Sequence, residues 1–155
     1  MYKVNENSYK KSIYEGDAYF IVRWSSYLIC NKYEILKKIP KLPGAFVVFY
    51  KAKGNRLVPF YLGFAWVNSI MYELNFVLSE EADHDAKIKS ILEDEKCYYK
   101  YVIIESYKDL LDIYQYYKTF YESRNTYFIK KELEPNSGRY KNVFVQDYSE
   151  LVKKK

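Results

Sequence analysis

Apolar residues recur along the chain with two different periods, and these periods predict the elements of the fold. Apolar runs rich in β-branched and aromatic residues predict strands at 18–24, 45–51, 56–64 and 98–105, with 26–30 as a second early strand or a continuation of the first. Turn residues at 52–55 join two of these runs and predict a β-hairpin, in which Pro59 predicts an edge strand or a bulge. Helical spacing predicts helices at 32–39, at roughly 80–95 and at 107–123.

The segment 69–78 alternates strictly between two sets of side chains, which predicts a third strand after the hairpin. The hairpin and this third strand together predict an antiparallel meander over 44–78. Two later strands are expected at 126–133 and 140–148, joined through the turn at 134–139. The expected class is α+β, with a mainly antiparallel sheet packed against two or three helices. We expect a single domain over 1–150 and a frayed basic tail at 151–155.

Composition narrows the class of protein. Hydrophobic residues make up 49% of the 155 and charged residues 29%, which is typical of a folded globular domain. The longest apolar runs are too short to span a bilayer, so the chain is expected in the cytoplasm, without a membrane partner. Cys30 and Cys97 lack a CxxC spacing, which argues against zinc. Buried free thiols are expected, with a disulfide as the alternative for a hyperthermophilic source.

Charge is distributed unevenly along the chain. The net charge is +5, yet residues 80–96 hold seven acids and three lysines. A basic body with one acidic segment fits a metal-dependent enzyme that acts on nucleic acid, because cations hold phosphates and carboxylates hold the metal. The alternative is that the acidic segment is simply a solvated helix.

The acidic segment supplies candidate metal ligands at Glu80, Glu81, Asp83 and Asp85. Such carboxylates suit Mg²⁺ or Mn²⁺, which could activate water for attack on a phosphate. Glu73 from the predicted strand would complete the site, so the expected catalytic residues are Glu73, Glu80, Glu81 and His84. His84, the single histidine, or Lys87 would act as base or phosphate contact. The alternative is that these acids only complement the dipole of a helix start, capped by Ser79 or Asp83.

Basic and aromatic residues form two further groups that suit phosphate contact and base stacking. The first lies on the hairpin and comprises Lys51, Lys53, Arg56 and Tyr61. The second lies late in the chain and comprises Arg124, Lys130, Lys131, Arg139, Tyr140 and Lys141. Ordinary surface charge is the alternative explanation for both groups.

The triplets "GAF" at 44–46 and "YLG" at 61–63 resemble the paired motifs of the GIY-YIG endonucleases. That resemblance implies a hairpin that carries two tyrosines near the cleaved phosphate, and a later helix that carries a metal-binding glutamate. Tyr61 stands at the second tyrosine, Phe46 replaces the first, and Asp112 or Gln115 would take the place of the glutamate. The arginine that the family places on the helix after its second motif has no counterpart between residues 57 and 123.

The high content of tyrosine, isoleucine and lysine, in a short α+β chain with one histidine, resembles orphan proteins of crenarchaeal filamentous and rod-shaped viruses. One of those proteins is a nuclease on linear double-stranded DNA, so the resemblance implies nucleic-acid chemistry in a host cytoplasm.

These observations predict a divalent-metal-dependent nuclease that acts on DNA. The alternative is a non-catalytic viral accessory module that binds nucleic acid or a host protein. DNA is a more strongly expected partner than RNA, and a homodimer is left open.

Overall fold

A computed structural model describes residues 6–94, 96–124, 129–131 and 133–148. Its strands are β1 (Ser8–Tyr14), β2 (Asp17–Arg23), β3 (Leu28–Ile29), β4 (Gly44–Ala52), β5 (Arg56–Ala65), β6 (Cys97–Ile103), β7 (Ile129–Lys130) and β8 (Val143–Asp147). Its α-helices are α1 (Lys32–Lys38), α2 (Ile70–Val77), α3 (Ala86–Asp94) and α4 (Tyr107–Glu122). The predicted tail at 151–155 lies outside the described residues.

The fold is α+β as predicted, but the strands form two sheets rather than one, and the described residues hold four α-helices rather than two or three. The larger sheet has five strands in the order β3-β6-β4-β5-β7, and the smaller has three in the order β1-β2-β8. Neighbouring strands are antiparallel except for β2 with β8 and β5 with β7, which are parallel. Strand β1, which the sequence analysis did not predict, pairs with β2 along its whole length.

Strand β4 lies at the centre of the larger sheet and separates two cores. Its residues Ala45, Val47 and Phe49 face the first core, which also contains the buried sides of α4, β2 and β8. Phe46 and Val48 face the second core, which lies under α1 and α2. The larger sheet is therefore covered on one face by α1 and α2, and on the other by α4 and the smaller sheet.

The predicted hairpin is confirmed, and Pro59 marks a bulge in it. Val48 pairs with Tyr61 but Phe49 pairs with Pro59, so Phe60 is the extra residue of β5. Proline has no N–H to donate to the ladder, which makes a bulge favourable there.

The prediction of a strand at 69–78 is wrong, and with it the meander over 44–78. Residues 70–77 form helix α2, whose N-cap Ser69 accepts a hydrogen bond from the Tyr72 N–H at 3.2 Å. The neighbour of β4 opposite β5 is β6 instead. Ile70, Leu74 and Val77 are buried at helical spacing, whereas Tyr72 and Phe76 of the apparent alternation are largely exposed. A short apolar run can satisfy both periods, and packing decided between them.

Residues 80–85, the first part of the acidic segment, are not the first turn of a helix. Helix α3 begins only at Ala86, because the Asp85 side chain accepts a hydrogen bond from the Ile88 N–H at 2.9 Å. The predicted caps at Ser79 and Asp83 are therefore wrong. Helices at 32–39 and 107–123, and strands at 18–24, 98–105 and 140–148, are confirmed within a few residues. The predicted strand at 126–133 falls partly outside the described residues. Within the described part of that range, the structure has β7.

Among the described residues, no helix combines the length and apolar character needed to cross a membrane.

Candidate functional site

The four carboxylates of the acidic segment lie at the surface of a loop. Glu80, Glu81, Asp83 and Asp85 are all exposed, and Asp85 is engaged in capping α3. Since 80–85 is not helical, the helical spacing that was expected to place Glu80 and His84 on one face does not exist. The loop is shaped by backbone contacts and by burial of Ala82.

His84 holds this loop against the end of α2. Its Nε2 lies 2.8 Å from the Val77 carbonyl oxygen, and because a carbonyl only accepts, Nε2 is the donor. Its ring packs edge to face with the Tyr61 ring at a centroid distance of 5.9 Å. The contacts of His84 are therefore those of a packing residue.

Glu73 does not join the acidic segment. It lies on α2, where its carboxylate forms an ion pair with the Lys131 ammonium at 3.2 Å. It also accepts a hydrogen bond from the Asn68 amide at 3.3 Å. In the part of the chain that the structure describes, no three His, Cys, Asp or Glu side chains are grouped so that they could hold a metal ion. The predicted Mg²⁺ or Mn²⁺ site thus gains no support from the geometry.

The residues of the GIY-YIG resemblance lie on opposite sides of the larger sheet. Phe46 is buried in the second core and stacks on Tyr61 with an interplanar angle of 13°. Burial raises the pKa of Tyr61, and the nearby charge of Glu73 adds to the effect. Asp112 belongs to α4, whose buried residues face the first core. The two ring positions and this carboxylate therefore do not meet at one surface.

The basic residues of the hairpin surround its turn. Lys53 and Arg56 are exposed, and the Lys51 ammonium lies 5.8 Å from the centre of the Tyr98 ring. Lys51, Lys53 and Lys96 line a shallow depression at this end of the hairpin. The hairpin thus presents positive charge.

Two carboxylates on α4 that sequence reasoning did not select as a pair are almost fully buried. Asp109 is 4% exposed and Asp112 is 2% exposed. The oxygens of Asp109 accept hydrogen bonds from the Tyr9 hydroxyl at 2.5 Å, the Lys11 ammonium at 3.0 Å and the Arg139 guanidinium at 2.8 Å. Burial would raise the pKa of Asp109, but these three donors outweigh it and hold that pKa below its usual value.

Asp112 anchors the segment that follows β7. It accepts hydrogen bonds from the Ser137 N–H at 2.7 Å, the Ser137 hydroxyl at 2.9 Å and the Arg139 guanidinium at 3.0 Å. Tyr140 takes part through its hydroxyl, which accepts from Lys11 at 3.3 Å, and its ring, which lies 4.7 Å from the Arg139 guanidinium. Arg139 and Tyr140 were predicted to contact nucleic acid, but their side chains are engaged in fastening residues 137–141 to α4. Lys131 is similarly engaged by Glu73, and nothing is described of the Lys130 side chain.

This anchored segment forms one wall of an open groove of about 510 Å³. The other wall is α4. The groove is lined mainly by polar, basic and aromatic side chains: Gln115, Tyr116, Thr119, Phe120, Ser123, Arg124, Asn136, Lys141 and Asn142, with Asp112 and Val143. Within the described lining, the positive charges are those of Arg124 and Lys141, and the negative charge of Asp112 is matched by Arg139. The groove therefore favours an anionic ligand.

The helical wall of the groove carries a continuous stack. Tyr116 stacks on Phe120 with a centroid distance of 6.1 Å and an angle of 23°. The Arg124 guanidinium lies 3.8 Å from the centre of the Phe120 ring, held there by hydrogen bonds to the Phe120 carbonyl and the Ser123 hydroxyl. These three residues are four positions apart, so they lie along one face of α4. Two flat rings and a flat cation make a surface suited to planar ligands.

Sequence reasoning found Arg124 and Lys141 but missed the ring row and the buried acids. A signal for the acids was present, since Asp109 and Asp112 stand inside the apolar stripe of α4, where an unpaired carboxylate is very unfavourable. No local pattern identified their partners, because Lys11 lies 98 residues and Arg139 lies 30 residues from Asp109.

A comparison with protein-family models matches residues 8–155 to a family described as "Uncharacterised protein". The chain belongs to this family. No curated protein and no solved structure matches the chain.

Proposed function

We propose that this protein binds nucleic acid without cleaving it, and that the groove between α4 and residues 136–143 receives an unpaired nucleotide. The observation that supports this most strongly is the stack of Tyr116, Phe120 and Arg124 in the same groove as Lys141. A base can stack on such a row whatever its sequence, and each stacked base contributes about 1–3 kcal/mol. The cations would contact the phosphates on either side.

Charge and hydrogen-bonding capacity support the same ligand class. The whole chain carries +5, which attracts a polyanion. Gln115 offers an amide group at the groove wall, which suits contacts to base edges or sugars, whereas the Asn136 oxygen already accepts from the Gly138 N–H and the Asn142 amide already donates to Asp17. Unpaired bases are preferred over duplex because stacking on Tyr116 and on the exposed Arg124 guanidinium, which covers a face of Phe120, needs a free base face. Within single strands, DNA remains the expected partner before RNA.

The nuclease remains a prediction that the geometry does not favour. It requires Glu73 and the 80–85 carboxylates to share a metal, whereas Glu73 pairs with Lys131 and the others lie exposed. The binding experiment therefore includes samples with Mg²⁺, with Mn²⁺ and with EDTA, analysed on denaturing gels. Metal-dependent cleavage that is lost in Glu80→Gln or Glu81→Gln would restore the nuclease and contradict the proposal.

Binding is measured by fluorescence anisotropy with labelled single-stranded DNA, single-stranded RNA and duplex DNA of equal length. Arg124→Ala/Lys141→Ala should weaken single-strand binding more than tenfold, because two phosphate contacts are lost, and should flatten the dependence on salt. Phe120→Leu should weaken binding with little change in that salt dependence, because it removes the ring that supports the stacked Arg124 guanidinium and no charge.

The matched control is Lys37→Ala/Lys41→Ala. It removes the same charge from exposed positions in and just after α1, on the opposite side of the larger sheet. If this control weakens binding as much as the groove variant does, the groove is not the site. Equal loss would indicate that only the overall charge attracts nucleic acid.

A further inference from the structure

The two cysteines are far apart in the sequence but lie directly opposite each other in the larger sheet. Strands β3 and β6 are antiparallel, with Ile29 opposite Tyr98. The next step of the same register places Cys30 opposite Cys97. The Cys30 N–H donates a hydrogen bond to the Cys97 carbonyl oxygen at 3.0 Å, which confirms this pairing. Opposed residues of an antiparallel pair have α-carbons about 4.5–5.5 Å apart.

The two side chains also leave the sheet on the same side. Cys97 is buried in the second core, and Cys30 is half-buried against that core. Both line one cavity of about 270 Å³, with Leu78 and Leu92 among the other lining residues. The structure has both cysteines as thiols. A small reagent that enters this cavity therefore meets two thiols at once.

This arrangement meets the geometric requirements of a disulfide. Such a bond joins α-carbons about 4.4–6.8 Å apart whose β-carbons are directed toward each other. The register supplies the spacing, and the shared core and cavity supply the common direction. A contact that the bond would remove is weak, because the Cys97 thiol, a poor donor, lies 3.8 Å from the Ile91 carbonyl oxygen.

Burial affects the two oxidation states of this pair differently. It raises the pKa of the Cys30 thiol, and the neighbouring Cys97 adds to the effect. The thiolate that starts the reaction is therefore rare, so oxidation is slow. A disulfide carries no charge, and burial does not oppose it once it has formed. The position of the equilibrium, rather than the rate, is the quantity to measure.

We propose that Cys30 and Cys97 form a reversible cross-strand disulfide, with a low-molecular-weight disulfide as the oxidant, and that this bond fastens β3 to the larger sheet. Strand β3 has two residues and lies at the edge of that sheet, next to β6. The bond would close the chain over residues 30–97, which lowers the conformational freedom of the unfolded state.

The reaction proceeds by two exchanges at sulfur. The thiolate of one cysteine attacks the reagent, whose sulfur–sulfur bond breaks, and one reagent thiolate leaves. The thiolate of the other cysteine then attacks the protein sulfur of this mixed disulfide and releases the second reagent thiolate. The protein loses two electrons and two protons, and the reagent gains them as two thiols.

The test equilibrates the purified protein with mixtures of reduced and oxidised glutathione, with and without denaturing urea. Alkylation and peptide mapping without reductant then give the fraction in which Cys30 is linked to Cys97. At one glutathione ratio, we expect linked over unlinked protein to be at least about tenfold higher in the folded sample, because the fold holds the thiols together. By linkage, the oxidised protein should melt several degrees above a sample kept reduced with dithiothreitol.

The matched control is Ile29→Cys/Cys30→Ala, which moves one thiol by a single position. Ile29 stands opposite Tyr98, which stands opposite Phe49, and Phe49 faces the first core. A thiol at position 29 therefore projects from the other face of the sheet and should not link to Cys97. Circular dichroism shows whether this variant keeps the fold.

Four results would each overturn the proposal. They are a wild type that forms only mixed disulfides with glutathione, a linked fraction no higher in the fold than in urea, equal linking in the control, and an oxidised protein that melts no higher than the reduced one. The cysteines lie on the face of the larger sheet opposite α4, and none of these measurements involves nucleic acid. The two proposals therefore succeed or fail separately.

Discussion

The loop at 79–85 and the first half of α4 both carry acids, but they use them in opposite ways. The loop holds Glu80, Glu81 and Asp83 in exposed positions. Helix α4 has only Asp109 and Asp112 within its buried stripe, and both are enclosed by donors from distant parts of the chain. A cluster of charged residues in the sequence therefore did not indicate which charged side chains stabilise the fold. Acids are structurally important here where apolar neighbours deprive them of water.

The reason is the difference in solvation. An exposed carboxylate is stabilised by water and needs no partner, so neighbouring acids need only stay apart. A buried carboxylate must be paired and fully hydrogen-bonded. Asp109 and Asp112 meet that demand through Tyr9, Lys11, Ser137 and Arg139, and in doing so they attach β1 and residues 137–141 to α4. The wall of the proposed binding groove depends on that attachment.

The largest effect is expected from Asp112→Ala. It leaves the Ser137 N–H without its acceptor and removes one carboxylate from Arg139. Breaking a buried pair in this way lowers the free energy of unfolding by about 3–5 kcal/mol. Urea denaturation followed by circular dichroism measures it. Asp83→Ala, an exposed acid of the loop, should change stability by no more than about 0.5 kcal/mol. Equal losses in the two variants would remove the distinction between the regions.

Lowering the pH is expected to have a smaller effect on the free energy of unfolding. The folded-state pKa of Asp109 is lowered from its usual 3.8, so its stabilising contribution is present above that value and is lost as pH falls through the folded-state pKa. Unfolding free energy measured from about pH 6 down to about pH 2 should fall more steeply in the wild type than in Asp109→Asn. The variant is less stable at neutral pH, and the two curves should converge in acid. Parallel curves would show that Asp109 is not the titrating group.

The smallest effect concerns the one loop acid with a defined contact. Asp85→Ala removes the cap of α3 and should lower the free energy of unfolding by about 1 kcal/mol. Glu81→Ala, four positions earlier and without such a contact among the described residues, should change it much less. If both substitutions have the same effect, capping does not account for the role of Asp85, and the loop acids act as a group.

Elements that depend on neighbouring residues could be predicted from the sequence, whereas features that depend on distant contacts could not. Helix α4 and the hairpin were predictable because their apolar spacing, their turn residues and their flanking signals agree over many positions. Helix α2 was not, because its eight residues fit both periods, although Ser69 as a helix cap was a signal for the correct choice. The sequence pattern indicated the late basic residues. It did not indicate that Asp109, Asp112 and Glu73 would engage Arg139 and Lys131 and leave the others accessible.

The amino-acid sequence by itself determined the α+β class, the hairpin and the long amphipathic helix, since each arises from contacts between residues close in the chain. It left Pro59 open between an edge strand and a bulge, and the register of β4 with β5 decided for the bulge. Only the tertiary structure decided that β6 rather than 69–78 lies beside β4, and that Arg139 is engaged by buried acids while Arg124 and Lys141 line an open groove. The physical reason is that burial and pairing join residues as much as 129 positions apart, and the free energy of burying a charge is known only once its surroundings are assembled.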